Sequence, residues 1–240
     1  MASKVRLYVD HPLSEGQTVP VSRDQANYLF AVMRLQVGTV LSLINGHDGE
    51  WDAEVVAGNK RSGALRCLTQ TRPLRMPPDL WLLFAPLKKT RTDFIVEKAA
   101  EMGAARIVPV QTDFTNADRI RQDKLQAHVI EATEQCGGTF VPEVAHLQKL
   151  SQVLADWDPS RRLLFCDETL LDETTLLAAE NNGPWAILIG PEGGFSENER
   201  DMLRKSDFAV PISLGPRILR ADTAAVAAMT VWQQALGDWS

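Results

Sequence analysis

The sequence predicts an α/β protein in two parts: a small β-rich domain over residues 1–75 and a larger domain over residues 76–240. Three observations predict it. Up to about residue 70, short apolar runs recur at roughly even spacing between Asn/Gly/Asp turns, the pattern of a small barrel. Thr71–Asp79 then carries three prolines, which disfavour helix and strand interiors and leave an extended linker. From Leu80 strand-length apolar runs alternate with helix-length segments, as in a mainly parallel sheet covered on both faces.

In the first part, Val5–Val9 reads as a strand, and Ser22 or Asp24 starts a short helix through Tyr28, Leu29, Val32 and Met33. Thr39–Ile44, Trp51–Val56 and Gly63–Leu68 follow as strands, separated by Asn45–Gly49 and Gly58–Ser62. In the second part, Leu80–Ala85 is a buried strand and Pro86–Arg91 a basic loop. A residue from Thr90 to Asp93 caps a helix whose apolar face holds Phe94, Ile95, Ala99 and Met102, and Gly103 ends it. Ile107–Val110 is the next strand. A helix from about Asp123 to Cys136 follows, with Leu125, Val129, Ala132 and Cys136 on one stripe and Gly137-Gly138 as its stop. Arg162–Cys166, Trp185–Ile189 and Phe208–Leu214 read as further strands. Asp222 or Thr223 starts an alanine-rich helix to about Leu236. Apolar residues spread around much of its circumference (Val226, Met229, Val231, Trp232, Leu236), which predicts burial on more than one side.

At 240 residues the chain is long enough for a substantial core. It has no apolar run near the length of a membrane span, and Met1–Arg6 lacks the apolar segment of a signal peptide, so a cytoplasmic protein is expected. Cys67, Cys136 and Cys166 are odd in number and lack a Cys-x-x-Cys spacing, which suits core thiols in a reducing compartment. The four histidines show no metal-ligand spacing either, so no metal is expected. Net charge is −6, divided as +2 over residues 1–75 (nine Lys/Arg, seven Asp/Glu) and −8 over the remainder (sixteen against twenty-four). A nucleic-acid partner would therefore need local basic patches.

Chemistry concentrates in Leu188–Thr223. The apolar run ending at Ile189 leads into Gly190-Pro191-Glu192-Gly193-Gly194, and Ser196-Glu197-Asn198-Glu199 then matches a helix capping box. The run ending near Leu214 leads into Gly215-Pro216-Arg217-Ile218-Leu219-Arg220 and the last helix. Both loops sit at the carboxyl end of a strand, where open α/β sheets bind ligands. The glycine spacing matches neither a dinucleotide fingerprint nor a P-loop, and Glu192 would repel a pyrophosphate. An ordinary turn and a ligand loop remain equal readings on chemistry alone.

The paired motifs "LIGPEGGFSENE" and "LGPRILRADTA" resemble those of the ribosomal small-subunit RNA (uracil-N3)-methyltransferase family, of the SPOUT superfamily of knotted S-adenosylmethionine-dependent enzymes. "RLYVDHPL", "VMRLQVG" and "INGHDGEWDAEV" resemble its amino-terminal PUA-like RNA-binding barrel. "LKKTRTDFIVEKAAEMGAARIVPV" and "IEATEQCGGTFVPEV" extend the likeness over essentially the whole chain. The chain departs from the family at Asn27-Tyr28-Leu29, where many members carry histidine, at Glu97, commonly Gln, and at Gly137-Gly138, where an arginine is common.

The resemblance implies a trefoil knot in the carboxyl-terminal third, S-adenosylmethionine as cofactor, a homodimer, and small-subunit ribosomal RNA or the assembled subunit as partner. It implies a cofactor pocket drawn from Cys166, Leu188, Gly190, Pro191, Gly193, Gly194, Ile212, Leu214, Gly215, Ile218, Leu219 and Thr223. Transfer to uracil N3 requires loss of the N3 proton. Glu192 or Asp222 can act as base, or Arg220 or Arg217 can stabilise the uracil anion. Glu192 bonding loop amides and Asp222 capping the last helix are the structural alternatives. Candidate RNA contacts are Arg6, Arg34, Lys88, Lys89, Arg91 and Lys98, with solvated surface charge as the other reading for Arg34 and the lysine-rich cluster. A ribose 2′-O-methyltransferase of the same fold and a non-catalytic RNA-binding assembly factor are the rival functions.

Overall fold

The structure is a computed structural model describing residues 5–167, 169–170 and 183–239. The chain divides into two compact units, Met1–Met76 with Thr133–Val141, and Pro77–Ala132 with Pro142–Ser240.

The first unit is a five-stranded sheet: β1 (Arg6–Tyr8), β2 (Thr18–Val21), β3 (Val40–Ile44), β4 (Glu50–Asn59) and β5 (Ser62–Arg72), in the order β1-β3-β4-β5-β2. β1 and β3 are parallel and the other pairs antiparallel. Register shifts in the β4–β5 ladder curl the sheet around Leu7, Val19, Leu29, Leu41, Leu43, Val55 and Leu65. β2 has no counterpart among the expected strands; Thr-Val-Pro-Val holds a proline, which an edge strand tolerates. β4 and β5 run past their expected ends, so Thr71 and Arg72 belong to a strand rather than to the linker.

The expected short helix is composite. α1 (Arg23–Ala26) starts with a complete capping box between Ser22 and Gln25 and passes into a π-helical turn, Asn27–Val32. Arg34 closes that turn in the left-handed region (φ 56°). Arg6 clamps Thr133–Val141 to β1. Its guanidinium donates to the carbonyls of Thr133 and Glu134 (both 2.8 Å) and Gly138 (2.7 Å), and to Glu50 Oε2 at 3.0 Å.

The second unit is an all-parallel sheet. β6 (Leu80–Phe84), β7 (Arg106–Gln111), β8 (Glu143–Val144), β10 (Arg162–Cys166), β11 (Trp185–Ile189) and β12 (Ala209–Ile212) lie in the order β12-β10-β11-β6-β7-β8, and β9 (Gln148–Lys149) also pairs with β7. The helices are α2 (Lys89–Glu101), α3 (Gln122–Cys136), α4 (Leu150–Ala155), α5 (Glu197–Arg204) and α6 (Ala221–Leu236). Every residue of β11 is buried, as a central strand covered on both faces requires. Leu83, Leu163, Phe165, Ala186 and Leu188 pack with Leu150 of α4 and Leu203 of α5 on one face. On α6, Ala225, Ala228, Met229 and Trp232 are buried, and that helix packs on β11 and α2.

Several local expectations change. α2 begins at Lys89 with Lys88 at its N-cap and no side-chain cap bond, because a lysine side chain carries no acceptor; the Thr92 hydroxyl bonds the backbone of Leu87 instead. α6 begins at Ala221 with Arg220 at the N-cap, so Asp222 lies in the first turn and does not cap it. Of the three thiols only Cys67 is buried; Cys136 is exposed and Cys166 half-buried.

Candidate active site

The carboxyl ends of β10, β11 and β12 all open on one edge of the sheet because the strands are parallel. A cavity lies there. Cys166 and Asp167 enter it from β10, Ile189–Glu192 and Gly194 from the loop after β11, and Ile212–Gly215 with Arg217–Leu219 from the loop after β12. Ala221 and Ala224 of α6 close it.

The Gly190–Gly194 loop is fixed at both ends. Pro191 is buried, and its carbonyl accepts the amide of Gly194 at 2.9 Å; Gly194 has φ 69°. Phe195, fully buried, sits edge-on to Phe165 at 6.3 Å, and a side chain at Gly190 would press its ring at 3.1 Å. Ser196 then caps α5: its Oγ accepts from the Glu199 amide (3.2 Å), and Glu199 Oε2 accepts from the Ser196 amide (2.9 Å). The same two residues bind the loop after β7, since Ser196 Oγ donates to Asp113 Oδ2 at 2.6 Å and Glu199 Oε1 accepts the Asp113 amide at 2.9 Å.

Asp167 was not among the sequence candidates. Its position directly after the apolar run of β10 is the signal that would have found it. Burial pushes its carboxyl upward in pKa, but bonds from the Thr169 hydroxyl (2.7 Å) and amide (3.1 Å) and from Arg204 (2.7 Å) outweigh that and hold it below the usual range. Its oxygens are thus committed to shaping the loop.

At the mouth, Arg91 of α2 donates to Glu192 Oε1 at 2.9 Å, and its Nε lies 3.8 Å from Asp222 Oδ2. The two candidate bases therefore share one guanidinium, and Glu192 meets Arg91 where loop amides were the alternative. Arg217 lines the cavity, and Arg220 precedes α6; both are exposed and make no ion pair or side-chain hydrogen bond among the described residues.

Of the residues assigned to the cofactor pocket, Cys166, Gly190, Pro191, Gly194, Ile212, Leu214, Gly215, Ile218 and Leu219 line the cavity. Leu188, Gly193 and Thr223 do not. Leu188 faces the core within β11, Gly193 lies under Phe114, and Thr223 is exposed on α6. Part of the loop after Cys166, residues 168 and 171–182, lies outside the described residues.

Among the residues assigned to RNA, Arg6 is corrected. Its side chain is 14% exposed and both terminal guanidinium nitrogens serve backbone carbonyls and Glu50, so no fork remains for a phosphate. Lys88 and Lys89 are exposed at the start of α2, with Lys89 paired to Asp93 at 3.0 Å. Lys98 pairs with Glu101 at 2.6 Å and lies over Phe94. Arg34 is exposed. Among the described residues no helix is long and apolar enough to cross a membrane, and no cluster of three His, Cys, Asp or Glu could hold a metal.

Residues 75–233 match the family model of the RNA methyltransferase domain, and residues 21–66 that of the RNA methyltransferase PUA domain. The chain is 29% identical over 228 residues to the ribosomal RNA small subunit methyltransferase E of Rickettsia conorii, covering 93% of each. It is 30% identical over 219 residues to the protein of that name from Synechocystis, covering 88% of this chain and 71% of the relative. Among solved structures, ribosomal RNA small subunit methyltransferase E of Neisseria gonorrhoeae, bound to S-adenosylmethionine, superposes with a TM-score of 0.88 at 26% identity, covering 99% of this chain and 100% of that one. A methyltransferase from Legionella pneumophila in complex with the same cofactor gives 0.87 at 28% identity with the same coverage.

Proposed function

The chain belongs to the ribosomal RNA small subunit methyltransferase E family, and we propose that it transfers a methyl group from S-adenosylmethionine to N3 of a uridine in 16S ribosomal RNA, in the cytoplasm. The observation that carries this reading is the cavity at the β10–β12 edge, with Arg91, Glu192 and Asp222 gathered at its mouth.

The residues present suit the cofactor. Ile189, Ile212, Ala221 and Ala224 offer apolar walls, and the glycine-bearing loops bring backbone donors and acceptors close. Gly190, Leu214, Gly215 and Leu219 would hold the adenine and ribose through their backbones, with Ile212 and Ile218 against the ring. The knot implied by the resemblance is part of this reading. Bound there, S-adenosylmethionine supplies an electrophilic methyl group.

The chain must do the rest. Uracil N3 lies on the Watson–Crick edge, so the base has to be unpaired or flipped out. N3 also carries a proton at neutral pH. Arg220, with Arg217 beside it, stabilises the uracil anion as that proton leaves, and Glu192 or Asp222 accepts it. Arg91 holds the two acids in place. Of the cations assigned to RNA, Lys88, Lys89 and Arg34 are exposed and can meet phosphate. A homodimer completes the reading: Val231, exposed on α6, is apolar surface that a second copy would cover. Sedimentation equilibrium returning the mass of one chain would exclude it.

The test is methyl transfer from labelled S-adenosylmethionine to unmodified small ribosomal subunits, with the RNA digested to nucleosides and identified by mass spectrometry. A 3-methyluridine product is expected. Arg220→Ala is expected to lower kcat by about 10²–10³-fold, the usual loss when one preorganised charge stabiliser is removed. Label in a ribose-methylated nucleoside would overturn the chemistry. Cofactor binding without transfer would favour an assembly factor.

A further inference from the structure

Phe114, with Ile218 and Trp239, is among the most exposed large apolar side chains of the second unit. It is 49% exposed, on the turn after β7, and its side chain lies on the open face of Gly193, where an added Cβ would come within 3.3 Å of Phe114 Cβ. Gly193 neighbours Glu192, the acid at the mouth of the cavity. A half-exposed aromatic ring therefore sits against the glycine loop that borders the cavity.

The turn is built to hold it there. The Thr112 amide donates to Thr115 Oγ1 at 2.9 Å, the two hydroxyls meet at 2.8 Å, and the Thr115 amide donates to the Thr112 carbonyl at 3.1 Å. Asp113 is bonded to both members of the α5 capping box. The residue before Phe114 is thus tied to the helix that follows the glycine loop, which fixes ring and loop relative to each other. Folding alone would have favoured burying that ring, since each buried aromatic side chain contributes about 1.5–3 kcal/mol.

A second feature of the same loop points to the ligand class. Arg119 and Arg121, with Lys89 and Lys124, line a cleft beside Pro86 and Leu87, at the same edge of the sheet. Arg121 pairs with Asp123 and Arg119 with Asp118 on exposed surface, where such pairs hold weakly and phosphate can compete, while Lys89 is exposed but pairs with the largely buried Asp93. Cations and a half-exposed aromatic ring at one edge of the sheet are the combination that single-stranded nucleic acid selects, through phosphate contact and base stacking.

We infer that Phe114 is the platform on which the target base stacks when it leaves the RNA fold to reach the methyl-transfer site. The ring contributes position rather than proton transfer. The inference rests on the proposed reaction.

The experiment compares wild type, Phe114→Ala, Phe114→Leu and Phe114→Tyr in steady-state transfer to unmodified small ribosomal subunits, with S-adenosylmethionine affinity and oligomeric state measured alongside. Ala and Leu are expected to raise KM for the subunit and lower kcat/KM roughly 5- to 100-fold, while Tyr stays within about twofold of wild type. Cofactor affinity and self-association stay unchanged. Leu matching Phe would overturn the inference, because an apolar contact without a ring would then suffice. Unchanged KM with loss of self-association would also overturn it and place Phe114 between two copies of the chain. An active wild type matched by Phe114→Ala sinks this inference alone. A wild type that methylates no subunit sinks the proposed reaction and this inference with it.

Discussion

Arg91 Nη1 and Glu192 Oε1, on residues 101 positions apart, meet at 2.9 Å, and the same guanidinium reaches Asp222 Oδ2 at 3.8 Å. One residue of α2 thereby joins the loop after β11 to the first turn of α6. Those are the two segments that carry the candidate catalytic groups.

Arg91→Gln tests that junction. The pair with Glu192 is half exposed, so its loss should change stability by no more than about 1 kcal/mol. Freed from it, Glu192 and Asp222 repel each other and the mouth loses its geometry. Methyl transfer should fall by roughly tenfold or more, at the scale of misplaced catalytic groups, with melting temperature nearly unchanged. A variant as active as wild type would remove Arg91 from the site.

Gly215 has φ 103°, and an added Cβ would meet nothing within 4 Å. Any effect of Gly215→Ala is therefore a backbone effect. Forcing that conformation on alanine costs about 1–3 kcal/mol, and the loop will move to escape it. Titration calorimetry should show weakened S-adenosylmethionine binding. Unaltered affinity would mean that Gly215 does not shape the pocket.

Asp167 gives a pH signature. Its folded-state pKa is held below the unfolded value of about 3.9, so its stabilisation is full above that value and is lost as pH falls through the folded pKa. Asp167→Asn should destabilise the protein at neutral pH by about 2 kcal/mol, through loss of charge-assisted bonds to Arg204 and Thr169. Between pH 7 and the acid range, thermal melts of the variant should lose less stability than those of wild type. Parallel curves would contradict the assignment.

Arg6→Met removes the clamp within the first unit. It removes the guanidinium from three backbone carbonyls and leaves Glu50, mostly buried, with Arg72 at 3.4 Å. A loss of about 3–5 kcal/mol is expected, the range for breaking one partner of a buried pair. Arg34→Ala, at an exposed position, should leave thermal stability nearly unchanged. Equal melting temperatures for the two variants would refute the structural role of Arg6.

What the sequence disclosed was local. The Ser196–Glu199 capping box needs only side chains three residues apart, and both of its bonds are present. Arg162–Cys166 and Trp185–Ile189 are short apolar runs with sharp ends, and both strands keep those bounds. The cavity loops could be found because Gly-Pro breaks the chain at strand ends. Other features depended on distant partners. Arg6 reads as a surface cation until the carbonyls of Thr133, Glu134 and Gly138 come to meet it. β8 and β9 are two residues each and exist only as partners of β7. Phe114 looks like a core residue by composition, and only its bonded turn shows why it stays in solvent.

Phe195, wedged under Gly190 and against Phe165, anchors the glycine loop to the core. A ligand arriving at that loop meets a finished surface. Its association should then carry a heat-capacity change set by the apolar area it covers, without the larger signature of a segment that folds on binding. Phe195→Ala would move the loop's ordering from folding to association, and calorimetry would record it as a more negative binding heat capacity and a larger entropic penalty.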